Sequence, residues 1–190
     1  ALNQDERKLL RENIVESLLD NNPLAITLIT KNLPKGKSLE ALEQELKEDI
    51  FNKVSDVELQ VFDAHSDMNI EKKRSLYASI NFSYQLLNDK EQMAFELVSL
   101  FPDGIDIESL KNISKQQQQK QRSGNESKDP YLAITDKVIC ALEKKSMLES
   151  NNNTIKLQSI VGKFAEQKFT QRDNISDIYC NAFQYNRMVI

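Results

Sequence analysis

Glycine and proline are scarce in this sequence, with four of each among 190 residues. An all-β fold connects its strands through many tight turns, and those turns depend on these two residue types. The shortage therefore excludes an all-β fold. Leucine, glutamate, lysine and glutamine are plentiful instead, and all four are good helix formers. The composition predicts a mainly α-helical protein.

The sequence also lacks the marks of secreted, membrane-embedded and nucleic-acid-binding proteins. Its two cysteines, Cys140 and Cys180, lie far apart and form no disulfide framework, which favours reduced thiols inside the cell. No run approaches the roughly eighteen apolar residues of a membrane-spanning helix, and no secretory signal opens the chain. The formal net charge of -4 gives no general attraction for DNA or RNA. These absences predict a cytoplasmic protein, and the leading Ala1 suggests a piece of a longer chain.

Residues with catalytic chemistry are missing as well. The single histidine, His65, stands in a polar stretch without a nearby cysteine, so neither a metal site nor a histidine base is predicted. No GxxxxGK[ST] phosphate loop occurs in the sequence, and carboxylates such as Asp49 and Asp56 are typical of a solvated surface. We therefore predict that this chain is not an enzyme and has no catalytic or metal-binding residues.

Apolar residues at helical spacing divide the first part of the chain into three predicted helices. These helices run from Asp5 to about Leu19, from Leu24 to Asn32, and from Ser38 onwards. The second is so apolar that none of its faces is expected to meet water. A polar connector with a short helix is predicted from Asp49 to about Glu71. Residues 1–72 thus form the first predicted domain, a helical bundle with its connector.

The rest of the chain opens with two dense helical patterns, which begin at Lys73 and Asn88. The elements predicted after them are a short helix over 105–113, a solvated loop over 115–129, a helix over 134–146, a β-hairpin over 147–157 and a helix over 159–169. Helices followed by a two-stranded wing give the winged-helix order. Residues 73–170 are therefore predicted to form a winged-helix domain, and residues 171–190 the start of a further helical array. The fold class is mainly α, with a helical bundle, a winged helix and one small β-hairpin.

One short segment resembles a motif of a known family. The residues Asn21-Asn22-Pro23-Leu24-Ala25 are similar to the "GLPLA" segment in the helical lid of NB-ARC proteins, which are STAND-type P-loop ATPases. In that family the proline packs against the adenine of the bound nucleotide. In this sequence Pro23 occupies the place of the proline, and Asn21 replaces the glycine.

Four later segments resemble the winged-helix domain of the same family, in the same order. The stretches Ser83–Leu87 and Phe95–Pro102 are similar to the opening of that domain, and Ile134–Leu148 is similar to the helix that leads into its wing. The tripeptide that begins at Leu157 falls where the family carries "MHD", a motif whose histidine contacts the β-phosphate of ADP. Gln158 stands in the place of that histidine, and the resemblance covers about residues 8–170.

The resemblance implies that the chain is the helical lid and winged-helix portion of a switch ATPase. In such a protein these parts control an ADP/ATP switch and oligomerisation, and the nucleotide-contact candidates here are Pro23 and Gln158. The resemblance further implies an upstream P-loop domain, downstream helical repeats and oligomer partners. ADP or ATP is expected to bind only together with the P-loop domain, and this fragment alone is not expected to hold either tightly.

Two other functions stay open at this stage. A protein-interaction scaffold that has lost nucleotide binding would explain why Gln158 replaces a histidine and Asn21 a glycine. A DNA-binding winged helix would use the predicted helix over 134–146, which carries lysines and no arginine. Because Asp136 and Glu143 share that helix, direct base reading is disfavoured.

Overall fold

The computed structural model describes residues 2–48, 54, 56–62, 68–122 and 134–172, with backbone alone for 56–57 and 115–122. The described residues are mainly helical and include one small antiparallel sheet, so the predicted fold class is confirmed. Contacts divide the chain into two units, Ala1–Leu86 and Leu87–Ile190. This division falls after Leu86, whereas the sequence pattern placed the domain boundary after residue 72.

The first unit is built from helices. Its elements are α1 (Gln4–Lys8), which continues as a π-helix (Leu9–Leu18), then α2 (Pro23–Asn32), α3 (Leu39–Glu48), the short α4 (Asp56–Leu59) and α5 (Ile70–Gln85). The predicted helix from Asp5 to Leu19 is therefore present, but most of it is wound as a π-helix. Within the predicted connector 49–71, the structure describes only α4 with its neighbouring residues and the start of α5.

Polar caps define where these helices begin. Asn3 and Glu6 form a reciprocal capping box at the start of α1, and the side chain of Asn69 accepts a hydrogen bond from the backbone of Lys72 at the start of α5. Such caps satisfy the N–H groups that the first helical turn leaves without a partner. The helix starts are thus encoded locally in the sequence.

Helix α2 packs against α5 and supplies much of the core of the first unit. Ala25, Leu28 and Ile29 are buried, whereas Thr27 and Thr30 are exposed. The expectation that no face of α2 meets water is therefore wrong. Each threonine hydroxyl donates to a backbone carbonyl one turn earlier, at 2.7 and 2.8 Å, and this polar pair makes an exposed face possible.

The second unit has the element order of a winged helix. Its elements are α6 (Asp89–Val98), β1 (Ile105–Asp106), α7 (Ile107–Arg122), α8 (Asp136–Lys144), β2 (Glu149–Asn151), β3 (Thr154–Lys156) and α9 (Ser159–Thr170). The strands form one antiparallel sheet in the order β1-β3-β2, in which Ile155 pairs with Ile105 on one side and Ser150 on the other. The predicted hairpin and the helix after it are confirmed.

Two details of the second unit differ from the sequence expectation. Ile105 and Asp106, predicted to be helical, form β1, because they pair with β3 nearly fifty residues later. Gly104 precedes this strand with φ of 101°, and a Cβ there would lie 2.8 Å from Thr154 Cγ2. The predicted loop 115–129 is helical as far as Arg122, because α7 continues through its glutamine-rich run. The rest of that loop lies outside the described residues, and so does the helical array predicted to start over 171–190, apart from residues 171–172.

Large apolar side chains close the core of the second unit. Phe95 of α6 and Phe164 of α9 are fully buried, and Phe101 is 9% exposed. Helix α6 packs against both α8 and α9. None of the helices in the described ranges combines the length and the apolar character that crossing a membrane requires.

Candidate functional site

The first candidate contact, Pro23, follows a turn with unusual backbone geometry. Asp20 and Asn21 have φ angles of 47° and 52°, which lie in the left-handed region. Non-glycine residues seldom adopt this region, but Asp and Asn tolerate it better than other residue types. The turn directs the chain into α2, where Pro23 is the first residue and is exposed. Proline suits this position because the N–H that it lacks would have no helical partner there.

Hydrogen bonds fix this turn on both sides. The Asn21 N–H donates to the carbonyl of Val15 at 2.9 Å, and the Asn22 N–H donates to that of Leu19 at 2.9 Å. The side chain of Asn22 caps α2 by accepting from Leu24 N at 3.0 Å and from Ala25 N at 3.2 Å. The exposed ring of Pro23 therefore sits on a well-defined backbone.

An ion pair ties the same turn to α5. The ammonium of Lys72 lies 3.6 Å from the carboxylate of Asp20, and both side chains are partly exposed. A pair of this kind contributes little stability on its own, because water screens both charges. It does place one positive and one negative charge beside the Pro23 turn, so the local surface carries no net charge from this pair.

The second candidate contact, Gln158, lies in the second unit, directly before α9. Its side chain is exposed, and its Nε2 donates to Glu149 Oε1 at 2.9 Å. The other carboxylate oxygen of Glu149 lies 3.9 Å from Lys156 Nζ. The Gln158 amide is therefore already engaged by a carboxylate of strand β2. A phosphate placed at this amide would meet the negative charge of Glu149.

The wing is held to the body of the second unit by Asp106. Asn153 Nδ2 in the hairpin turn donates to one Asp106 oxygen at 2.5 Å, and the backbone of Ser109 donates to the other at 3.1 Å. The Ser109 N–H is the main reason why the pKa of Asp106 lies below its ordinary value, and the Asn153 amide adds to the effect. One carboxylate thus connects the hairpin turn with the first turn of α7.

Helix α8 has a mixed surface where a DNA-reading winged helix would need a basic one. Its exposed side chains include Lys137, Cys140 and Lys144, with Asp136 at the start of the helix. Lys145 is not part of this face, because its ammonium lies 2.6 Å from the buried carboxylate of Glu91. Two of the three lysines that the sequence suggested for DNA contacts therefore remain at the surface of α8.

Charged partners on neighbouring helices were not apparent from the sequence. Lys111 of α7 lies 2.6 Å from Asp136 and 2.7 Å from Glu108, and the hydrogen bond that it donates to Asp136 is the main reason why its pKa is raised. Within the described ranges, no three His, Cys, Asp or Glu side chains are grouped so that they could hold a metal ion.

Comparison with known proteins gives no match for this chain, whether with protein-family models, curated proteins or solved structures.

Proposed function

We propose that this chain is the regulatory lid and winged-helix portion of a STAND-type switch ATPase. In this proposal the first unit contributes Pro23 to the adenine side of a nucleotide that a separate P-loop domain holds. The second unit controls the change between the ADP and ATP states, and with it oligomerisation. The proposal places the protein in the cytoplasm, with the P-loop domain and further helical repeats as its neighbours in the same chain.

The backbone at Asn21 is the observation that carries this proposal. Asn21 stands where the similar family motif has glycine, the residue that adopts positive φ most readily. Its φ of 52° is in the left-handed region, where asparagine is one of the few tolerated replacements. The exchange of glycine for asparagine thus preserves a turn that presents an exposed proline at the start of an apolar helix. This supports the resemblance at the position where the sequence departs from it.

The architecture of the second unit gives further support. Its element order, α6-β1-α7-α8-β2-β3, and its sheet order, β1-β3-β2, are those expected of a winged helix. The acidic chain and the mixed α8 surface disfavour DNA as the partner of this unit, since DNA binding depends on neutralising phosphates with lysine and arginine. A protein-regulating winged helix agrees better with this charge distribution.

A second candidate function is a protein-interaction scaffold that does not bind nucleotide. The contact between Gln158 and Glu149 favours it, because the Glu149 carboxylate would repel a nucleotide phosphate placed there. The similar family has a histidine at this position, and a histidine can carry a positive charge. The two candidates differ in one measurable respect. The switch needs ADP, and the scaffold does not.

Calorimetry on the longer natural protein that the proposal implies would separate these candidates. The switch function predicts tight ADP binding, weakened on the order of tenfold by Pro23→Ala because the adenine loses an apolar contact. Pro34→Ala is the matched control, since Pro34 is an exposed proline of the same unit that follows α2, and it should leave binding unchanged. Absence of ADP binding by the unaltered protein would instead support the scaffold. Retardation of DNA in a salt-dependent gel-shift assay would contradict both.

A further inference from the structure

Helix α2 presents an exposed face that carries almost no charge. The exposed residues of this helix are Pro23, Thr27, Thr30 and Lys31, and the half-buried Ile26 lies on the same side, because residues three and four apart share a helix face. The other helices of the first unit expose charged side chains, among them Glu12 and Glu16 of the π-helix, Glu40 and Glu48 of α3, and Glu71 and Lys72 of α5. Charged and polar residues are typical of an exposed helix face in a globular protein. Helix α2 departs from that pattern.

The two threonines of this face use their hydroxyl hydrogens inside the helix. The hydroxyl of Thr27 donates to Pro23 O at 2.7 Å, and the hydroxyl of Thr30 donates to Ile26 O at 2.8 Å and lies 3.1 Å from Thr27 O. A hydroxyl has one hydrogen to donate, so neither threonine has a donor left for another molecule. What remains is a methyl group and an oxygen that can only accept. The face is therefore better suited to packing than to donating hydrogen bonds.

The stability of α2 does not explain why threonine occupies these exposed positions. β-branched residues lose rotamer freedom in a helix, and alanine, lysine, glutamate or glutamine would stabilise an exposed helical position better. Helix α3 of the same unit has residues of that kind at its exposed positions, which are Glu40, Ala41, Gln44, Lys47 and Glu48. The exposed threonines of α2 consequently favour a role in contact with another molecule.

The charges beside this face are all positive. From residue 21 to residue 39 the sequence contains three lysines and no acidic residue, although the whole chain has a formal net charge of -4. One of them, Lys37, pairs with Glu45 of α3. The other two, Lys31 and Lys35, are exposed, and neither forms an ion pair with a described residue. Two available ammonium groups therefore accompany the face, one at its edge and one in the loop that follows α2.

We propose that this face of α2, formed by Ile26, Thr27, Thr30 and Lys31, docks an acidic amphipathic helix of a partner protein. The ten residues of α2 extend over about 15 Å, which accommodates about three turns of a second helix. Apolar side chains of the partner helix pack on Ile26 and the two threonines, whose small size permits a close approach. Carboxylates along its edge pair with Lys31 and Lys35 and so fix its direction.

The size of the face sets the strength of this association. A contact of so few residues is smaller than a standard stable interface, so the complex should be transient, with a Kd on the order of 10 μM or weaker. The inference goes beyond the proposed function, because it requires neither a nucleotide nor the proposed adenine contact of Pro23.

A selection from a library of displayed helical peptides tests this docking site. The peptides have about 18 residues, which is five turns of helix, and every position is randomised. The full chain is the target and no nucleotide is present, so the result is independent of the proposed ADP switch. Peptides that still bind the Thr30→Glu variant are then removed. We expect the remaining peptides to be amphipathic, with apolar residues at positions i, i+3, i+4 and i+7 and more carboxylates than cations.

One selected peptide is then titrated into substituted chains by calorimetry. Thr30→Glu and Lys31→Glu should each weaken binding on the order of tenfold, because the first adds a carboxylate to the packing face and the second reverses a charge that pairs with the partner. The matched controls are Thr170→Glu, at an exposed threonine whose hydroxyl also donates within its own helix, and Lys90→Glu, at an exposed lysine of α6. Both controls should bind the peptide as the unaltered chain does, and circular dichroism shows that all four variants fold.

Several results would overturn the inference. The selection could yield no peptide that distinguishes the chain from its Thr30→Glu variant, or it could enrich basic peptides. The control substitutions could weaken binding as much as the test substitutions. Sedimentation with vesicles of phosphatidylserine and phosphatidylcholine that both test variants lose would assign the face to a membrane. A dimer that Thr30→Glu dissociates in analytical ultracentrifugation would assign it to a second copy of this chain.

Discussion

Arg172 and Glu96 form a two-point ion pair that joins the end of α9 to α6. Arg172 Nη2 donates to Glu96 Oε1 at 3.0 Å, and its Nε donates to the other carboxylate oxygen. The Glu96 side chain is 1% exposed and that of Arg172 is 32% exposed. The carboxylate is therefore almost entirely withdrawn from water, and the guanidinium compensates for this loss in the geometry that suits it best.

Removal of this guanidinium should destabilise the second unit. Arg172→Ala leaves the buried Glu96 carboxylate without this guanidinium, and we expect the free energy of unfolding to fall by about 2–3 kcal/mol. This decrease is below the usual range for a buried ion pair because Arg172 is partly exposed. Urea denaturation followed by circular dichroism measures the change. Lys156→Ala is the control, because both side chains of the Lys156–Glu149 pair are exposed. Removing this pair should lower the free energy of unfolding by less than about 1 kcal/mol. Equal effects of the two substitutions would contradict this account.

Phe95 should be essential for the core of the second unit. Its side chain is fully buried, and Phe95→Ala should reduce stability by about 3–5 kcal/mol through lost transfer energy and the remaining cavity. Phe101→Ala should also be severe, although Phe101 is 9% exposed. Leu86→Ala, at a side chain 40% exposed, should cost below about 1 kcal/mol. A neutral Phe95→Ala in urea denaturation would refute the burial described for α6.

The effect of a substitution at Asn21 on stability should depend on how readily the new residue adopts a positive φ. Asn21→Gly should be neutral or stabilising, whereas Asn21→Ala should cost about 1 kcal/mol because its Cβ is strained at φ of 52°. Thermal denaturation of the chain gives this order. The control is Asn112→Ala, an exposed position inside α7, where alanine should be neutral or slightly stabilising. A stabilising Asn21→Ala would mean that the residue is not left-handed in solution.

Stability in acid should depend on Asp106. The backbone of Ser109 lowers the pKa of this carboxyl below its ordinary value of 3.8. A carboxyl whose pKa is lower in the folded protein stabilises it above the ordinary value, and this contribution disappears as the pH falls through the folded pKa. Asp106→Asn should therefore reduce stability at neutral pH and flatten its decline in acid. Urea midpoints measured at a series of pH values test this, with the exposed Asp103→Asn as the control.

The isolated chain should not hydrolyse ATP. Phosphoryl transfer requires positioned donors and Mg²⁺ around the phosphates, and the sequence contains no GxxxxGK[ST] loop to supply them. A coupled ATPase assay should give the same rate for the chain as for buffer. The result that would refute this is turnover above background that Pro23→Ala abolishes but Pro34→Ala retains.

The elements with a strong local signal were the ones that the sequence predicted well. The asparagine run predicted the hairpin, because Asn152 and Asn153 both take positive φ in its turn, as such turns require. Strand β1 gave no comparable signal, since two residues are too few for an alternating pattern and their partner is distant in the chain. The π winding of Leu9–Leu18 was also missed, because Leu10, Ile14 and Leu18 recur every four residues, as on one face of an α-helix.

The same limit explains what was missed around the candidate contacts. Pro23 could be selected from its motif, because the motif and the helix start lie next to each other in the chain. The partner of Gln158 could not be predicted in this way, because it depends on the register of the hairpin. That register places Glu149 opposite Lys156 and so brings Glu149 near Gln158. The pair of Lys145 with Glu91 likewise depends on how α8 packs on α6. Side-chain partners that tertiary packing selects have no signature in a single sequence.

The short outer strands of the sheet bear on how this protein behaves at high concentration. In the order β1-β3-β2, the two open edges belong to strands of two and three residues. Each edge also carries an exposed carboxylate, Asp106 on β1 and Glu149 on β2. Short and charged edges are poor templates for strand addition between molecules. The described sheet is therefore protected against edge-to-edge aggregation, and the longest strand-like surface it offers a neighbouring molecule is three residues.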